Sequence, residues 1–263
     1  MRSIRLAITA VLLLLTAVAA EAGTPAPVNI GIQDVIDTVE KSYRALSDVT
    51  ADFFQRSTLA EKKREMRADG QMSLKMASGS DPLKFRFDYF RPTTQEIVSN
   101  GKTMWMYLPQ NNQVIISDVS FVFNPAQFDP DRDRASNFLQ GLGRISKDFF
   151  INFSPQRQDM EGNYILELTP RRATATIEKL FIVVRRDAVM GYVQNNRDIT
   201  KVVNNQLRQE LAFPVLSTTV IDHQQNSTIM EFSNVRTNTR LSDALFDFIL
   251  PGNVQIVKPP RQQ

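Results

Sequence analysis

A mainly β fold with a few attached helices is what this 263-residue chain predicts, on three observations. Turn signals recur at short, even spacing from Ser78 to Asn112. The runs between them are extended in character, and one amphipathic helical stretch precedes them. Such spacing is the signature of antiparallel strands joined as hairpins.

The elements follow in order. Met1–Ala22 reads as a secretory signal: Arg2 and Arg5 precede apolar Leu6–Val18, and Ala20-Glu21-Ala22 forms an A-x-A site. An apolar run of about 13 residues is short of the ~20 that span a bilayer, so a cleaved leader is expected, with residues 23–263 forming one domain. Ile32–Leu46 sets Val35, Ile36, Val39, Tyr43 and Leu46 at helical spacing behind Asp34 and Asp37. Val49–Ser57 turns extended, and Met66–Met76 alternates Met72, Leu74 and Met76 with polar neighbours. Strands follow near 83–90, 94–99, 103–108 and 112–117, punctuated by Asp81-Pro82, Arg91-Pro92, Asn100-Gly101 and Pro109–Asn112. Asn-Gly is the strongest of these signals, because both positions tolerate a positive φ.

Phe121–Gly143 breaks the pattern. Asp133 or Ser136 could cap a short helix carrying Phe138, Leu139 and Leu142 and ending at Gly141 or Gly143. Pro and Asp on one side and Gly on the other fit either a movable cover or a core-packed connector. Strands resume at Phe149–Phe153, Tyr164–Thr169 and Ile177–Arg185. A helical insertion is then expected at 189–212, with Asp198 capping a helix that runs to about Leu211. Val215–Asp222 and Thr228–Val235 form a closing hairpin, and Phe246, Phe248, Ile249 and Val254–Val257 a C-terminal edge.

Catalytic chemistry is poorly supplied. There is no Cys, which removes disulfides, a thiol nucleophile and a lipidated cysteine. The single histidine, His223, sits beside Asp222 in a polar turn, and no nucleophile elbow, zinc-protease or phosphate-loop motif occurs. Asp129, Asp131 and Asp133 imitate an EF-hand start, but Arg134 replaces the turn glycine and Gln140 the closing glutamate. No catalytic residue, metal or cofactor is expected. The formal charge of +3 becomes +2 without the leader, with both signs interleaved, which argues against nucleic acid.

What stands out is apolar surface on both faces of single strands. Met104–Leu108 and Leu180–Val184 are apolar at both parities, so both faces must be covered. With 17 Phe, 9 Met, 5 Tyr and Trp105, that cover could be a bulky core or a bound acyl chain.

Here the chain resembles the LolA family of periplasmic outer-membrane lipoprotein carriers. The resemblance is carried by Asp52-Phe53-Phe54-Gln55, Gly70, Phe85-Arg86-Phe87, Pro92, Gln95, Ile97-Val98, Asn100-Gly101-Lys102, Trp105, Tyr107, Pro109 and Gln113-Val114. It continues through Leu166–Pro170 and Leu180–Asp187 to Phe246–Val257. It implies an unclosed, strongly curved antiparallel β half-barrel with an α-helical lid over a hydrophobic cavity. It also implies a monomeric periplasmic carrier that takes acylated lipoproteins from an inner-membrane transporter and hands them to an outer-membrane acceptor. A binding or sensing module for free lipid is the alternative. The expected cavity wall is Phe85, Phe87, Tyr89, Trp105, Tyr107, Phe181 and Val183, and the expected lid is Phe128, Phe138, Leu139 and Leu142. Where the family often places an Arg before a Pro to tie wall to lid, this chain has Asp81 before Pro82, with Arg86 or Arg91 as substitutes.

Overall fold

The computed structural model describes residues 29–120, 141–174 and 177–258. Among the described residues, twelve strands carry the fold: β1 (Asp48–Leu59), β2 (Arg64–Lys75), β3 (Lys84–Arg91), β4 (Gln95–Ser99), β5 (Thr103–Leu108), β6 (Gln113–Asp118), β7 (Phe149–Gln158), β8 (Tyr164–Pro170), β9 (Lys179–Val184), β10 (Val215–Ile221), β11 (Ser227–Thr237) and β12 (Gln255–Val257). They form one sheet in the order β12-β6-β5-β4-β3-β2-β1-β11-β10-β9-β8-β7. Its ends do not meet, and every neighbouring pair is antiparallel except β12 with β6. The expected unclosed antiparallel half-barrel is therefore present.

The sheet wraps about helix α1 (Ile32–Ala45). Asp34 starts it by accepting the Gly31 N–H at 3.1 Å. Val35, Ile36, Val39 and Tyr43 pack into one core with Val49, Phe53, Leu166, Leu168, Leu180 and Ile182 of the sheet. Its polar side is buried as well, at Asp34, Thr38, Glu40 and Ser42, because other segments lie on it.

One such segment is the 3-10 turn Leu142–Arg144 with the short helix α2 (Ile145–Asp148). Glu40 accepts from the Ser146 backbone N–H at 2.8 Å and its hydroxyl at 2.7 Å, and Arg44 donates to the Gly143 carbonyl. The other is the insertion, which departs from expectation. Instead of one helix from Asp198, it holds α3 (Arg186–Gln194), α4 (Thr200–Val203) and a 3-10 turn at Gln209–Leu211. Asn196 and Arg197 break it with left-handed backbone at φ 56° and 60°. Asp198 accepts the Thr200 N–H at 3.0 Å, but the N-cap is Ile199 and the helix ends after one turn. Arg197 grips Asp34 at 2.7 Å, and the Tyr192 hydroxyl, within a hydrogen bond of both Lys41 and Asp37, completes the dock. Burial alone would raise the Asp37 pKa; bonds from Lys41, Gln33 and Tyr192 outweigh it and hold it below the usual carboxylate value.

Gly70 marks the tightest point of the sheet. A Cβ there would lie 2.0 Å from the Asp88 carbonyl oxygen and 2.8 Å from Phe53 Cζ. The register slips beside it, between Asp69 and Gly70, so β3 carries one extra residue against β2.

Candidate functional site

Residues paired across antiparallel strands share a face, so register sorts the candidate wall without ambiguity. One row runs Phe232–Phe53–Gly70 across β11, β1 and β2, and another runs Met72–Phe87–Ile97–Met106–Ile115 from β2 to β6. Beside the second row lies Leu74–Phe85–Ser99–Met104. This is the inner face, on which α1 packs, and Phe85, Phe87 and Tyr89 belong to it. Their rings pack edge to face around Phe53: Phe53–Tyr89 at 4.9 Å, Phe53–Phe87 at 5.8 Å and Phe85–Phe87 at 6.0 Å. The Tyr89 hydroxyl donates to Gln55 at 3.0 Å, and burial raises its pKa, so it stays a neutral phenol.

Trp105, Tyr107, Phe181 and Val183 point the other way. Trp105 pairs with Val98, and Tyr107 with Glu96, which bonds Arg86; all lie on the outer face. There the C-terminal segment covers them: Phe248 stacks on Trp105 at 6.3 Å and tilts against Tyr107 at 5.8 Å. Val98, Val114 and Phe246 are fully buried on this side. Phe181 is paired with Glu167, and the Lys179 ammonium sits 5.8 Å from its ring centroid, whereas Leu180, Ile182 and Val184 face the core. The expected single wall of seven residues is thus divided between two faces: three residues face inward and four outward. β5 is apolar at both parities because α1's side of the sheet and the C-terminal segment each claim one of its faces.

The inner face is not covered evenly. On β8 and β9, Leu166, Leu168, Leu180 and Ile182 are 0% exposed. On β3 to β6, Phe85, Tyr89, Ile97, Met104, Met106 and Ile115 are only half-buried. Ile97, Met104, Met106 and Ile115 were not among the expected wall residues. Counting outward from the Asn100-Gly101 hairpin, which pairs Ser99 with Met104, would have placed them.

The remaining candidates are placed as follows. Leu142 is fully buried in the core beside α1, while Phe128, Phe138 and Leu139, with the Asp129–Asp133 triplet, lie outside the described residues. Arg86 bonds Asp88 and Glu96, and Arg91 bonds Asp69, all on the outer face. Asp81 is exposed. His223 is exposed, with Nε2 at 2.7 Å from the Thr174 carbonyl oxygen, and the Asp222 carboxylate is taken up by Gln224 and Asn226 of its own turn. An open trough of about 540 Å³ lies over the middle of β1 and β2, but Asp52, Asp69 and Glu231 line it as much as Phe54 and Phe90 do, unlike an acyl-chain site.

The C-terminal cover is held by charge. Asp243 bonds Lys75 at 2.8 Å and Lys84 at 2.7 Å, and these bonds pull its pKa down to about 2. Upstream, burial would raise the Asp48 pKa, but hydrogen bonds from Thr239, Ser47 and Arg240 lower it overall.

Several known proteins are similar. An outer-membrane lipoprotein carrier protein of Francisella tularensis is 25% identical over 236 residues, covering 88% of this chain and 91% of its own. One from Chromobacterium violaceum is 27% identical over 244 residues, covering 93% and 96%. Among solved structures, a LolA superfamily protein from Nitrosomonas europaea covers 84% of this chain and 99% of its own, at 13% identity and a TM-score of 0.35. An uncharacterized conserved protein from Thermus thermophilus covers 86% and 98%, at 14% identity and a TM-score of 0.46. The family model described as outer membrane lipoprotein carrier protein LolA matches residues 44–196, more than half of the sequence, and the chain therefore belongs to the LolA family.

Proposed function

We propose that this protein is a periplasmic carrier that shelters the acyl chains of lipoproteins on its inner face and moves them from the inner to the outer membrane. One observation supports this most: the sheet is fully packed under α1 on β8 and β9, yet on β3 to β6 the inward-facing Phe85, Tyr89, Ile97, Met104, Met106 and Ile115 are each only half-buried. An acyl chain of about 16 carbons loses roughly 12 kcal/mol when exposed to water, at ~0.8 kcal/mol per methylene. Aqueous transfer therefore needs a sheath. Aromatic and Met side chains suit it, because they make broad apolar contact without demanding a fixed register.

The role is binding and release, not catalysis. Release requires the acceptor to bind the chains more tightly than the carrier, so an inner face left half-covered in the free protein, with moderate affinity, is an advantage. An inner-membrane transporter as donor and an outer-membrane acceptor are the partners this role requires.

Native mass spectrometry of protein purified from a lipoprotein-producing host tests the reading. An acylated protein adduct is expected. A free lipid adduct would favour a lipid-binding module without lipoprotein delivery. No adduct, together with no uptake of a fluorescent fatty acid, would overturn the acyl-binding role.

A further inference from the structure

We propose that the tip of the β1–β2 hairpin docks this protein onto an anionic membrane surface. The hairpin is paired from Asp48↔Lys75 to Leu59↔Arg64. β3 accompanies β2 only as far as Asp69↔Arg91, so the stretch 64–68 has an open edge on that side, while β11 flanks β1 on the other as far as Thr58↔Ser227. Its tip carries Arg56, Lys62, Lys63, Arg64 and Arg67 against Glu61 and Glu65. Arg67 is paired with Glu65 at 2.6 Å, while Arg56, Lys62, Lys63 and Arg64 form no ion pair among the described residues. Arg56 and Arg67 stand directly opposite each other, so Glu65 offsets only one of two facing charges.

Among the described residues, no carboxylate outside the hairpin forms an ion pair with its cations. The adjacent turn touches it through the Ala60 N–H on Asn226 Oδ1 at 3.0 Å. Its Asp222 accepts from Gln224 and Asn226, and nearby Glu178 accepts from Gln225.

A membrane fits better than an acidic protein because the cations surround an apolar edge. Met66 is 41% exposed and lies on the inner face opposite Ser57, in line with Leu59. That line runs down through Ala68 opposite Gln55 to Tyr89, which bonds Gln55. Cations over an apolar edge are the composition by which soluble proteins seat at an anionic interface. Seated there, the tip brings the inner face close to the headgroups. The docking holds or fails independently of what the inner face carries.

Flotation with vesicles of phosphatidylcholine containing phosphatidylglycerol, against phosphatidylcholine alone, tests it with no lipoprotein present. Binding only to the anionic vesicles is expected, weakened at high salt. The Lys62→Glu/Lys63→Glu/Arg64→Glu variant should lose about tenfold or more in affinity. The charge-matched Lys102→Glu/Lys201→Glu/Arg236→Glu variant should bind as the unmodified protein does. Should the hairpin variant unfold, as its thermal melt would reveal, Lys62→Gln/Lys63→Gln is read in its place. No binding to anionic vesicles, or equal losses in the hairpin and control variants, would overturn the proposal.

Discussion

Placing a carboxylate at Met106 should separate the two faces of β5. Met106 lies between Ile97 and Ile115 on the inner face and is half-buried in the free protein, so Met106→Glu leaves the fold nearly intact, changing stability by about 1 kcal/mol or less. A bound acyl chain would have to lie against that carboxylate. Desolvating it costs about 3 kcal/mol, which weakens uptake roughly a hundredfold. Trp105→Ala should behave in the opposite way. Its ring is stacked on Phe248 on the outer face, and removing it costs about 2 kcal/mol, or about 4–8 °C in melting temperature. Uptake should not change. Titration with a fluorescent fatty acid, beside thermal melts of both variants, reads the two quantities separately. If Trp105→Ala abolished uptake while Met106→Glu spared it, the assignment of the binding surface to the inner face would be wrong.

Four further outcomes are expected. Both Asp48 and Asp243 have depressed folded-state pKa values, so their stabilisation of the C-terminal segment is fully present above the ordinary 3.8 and is lost as pH falls below it, for Asp243 through about 2. Emission from Trp105, the sole tryptophan, should therefore hold steady at neutral pH and shift red across that acid window; a steady spectrum throughout would refute the clamp. Gly70→Ala should destabilise by about 3 kcal/mol, because its Cβ meets the Asp88 backbone, and a melt unchanged within error would contradict that contact. Glu40→Ala strips the Ser146 N–H and hydroxyl of their buried acceptor and should cost about 2 kcal/mol in chemical denaturation. Arg197→Ala frees the insertion from Asp34; amide exchange should rise in 186–203 and stay unchanged in β8 and β9.

Strand positions were legible because each turn declared itself locally: Asn100-Gly101 and Pro109–Asn112 bracket β5 within its observed limits. Which face each strand presents was not. On β5 the cover on the outer face is Phe248, more than a hundred positions away in the sequence, and nothing local to Met104–Leu108 announces it. Bulk alone singles out Trp105 and Tyr107 as wall residues of that strand, whereas the less conspicuous Met104 and Met106 occupy the inner face. The insertion failed for a different reason. The helix expected from Asp198 to about Leu211 stops after Val203: Asn204 is its C-cap, and the Asn205 side chain accepts the Leu207 N–H at 3.1 Å, a local bond that competes with continuing the helix.

The lone parallel pair, β12 beside β6, bears on how the molecule assembles. Asn112 Nδ2 donates to the Asn253 carbonyl at 2.8 Å, across a separation of 141 residues, and the β6 edge gains its neighbour only then. Until that loop closes, β3 to β6 form a meander that is oily on both sides and has an open edge, the kind of intermediate that sticks to its own kind. Contacts this distant in sequence form late. The span most exposed to misassembly is therefore the one whose inner face must afterwards remain partly uncovered, and a chain shortened before Phe246 would be expected to aggregate before it could fail to carry anything.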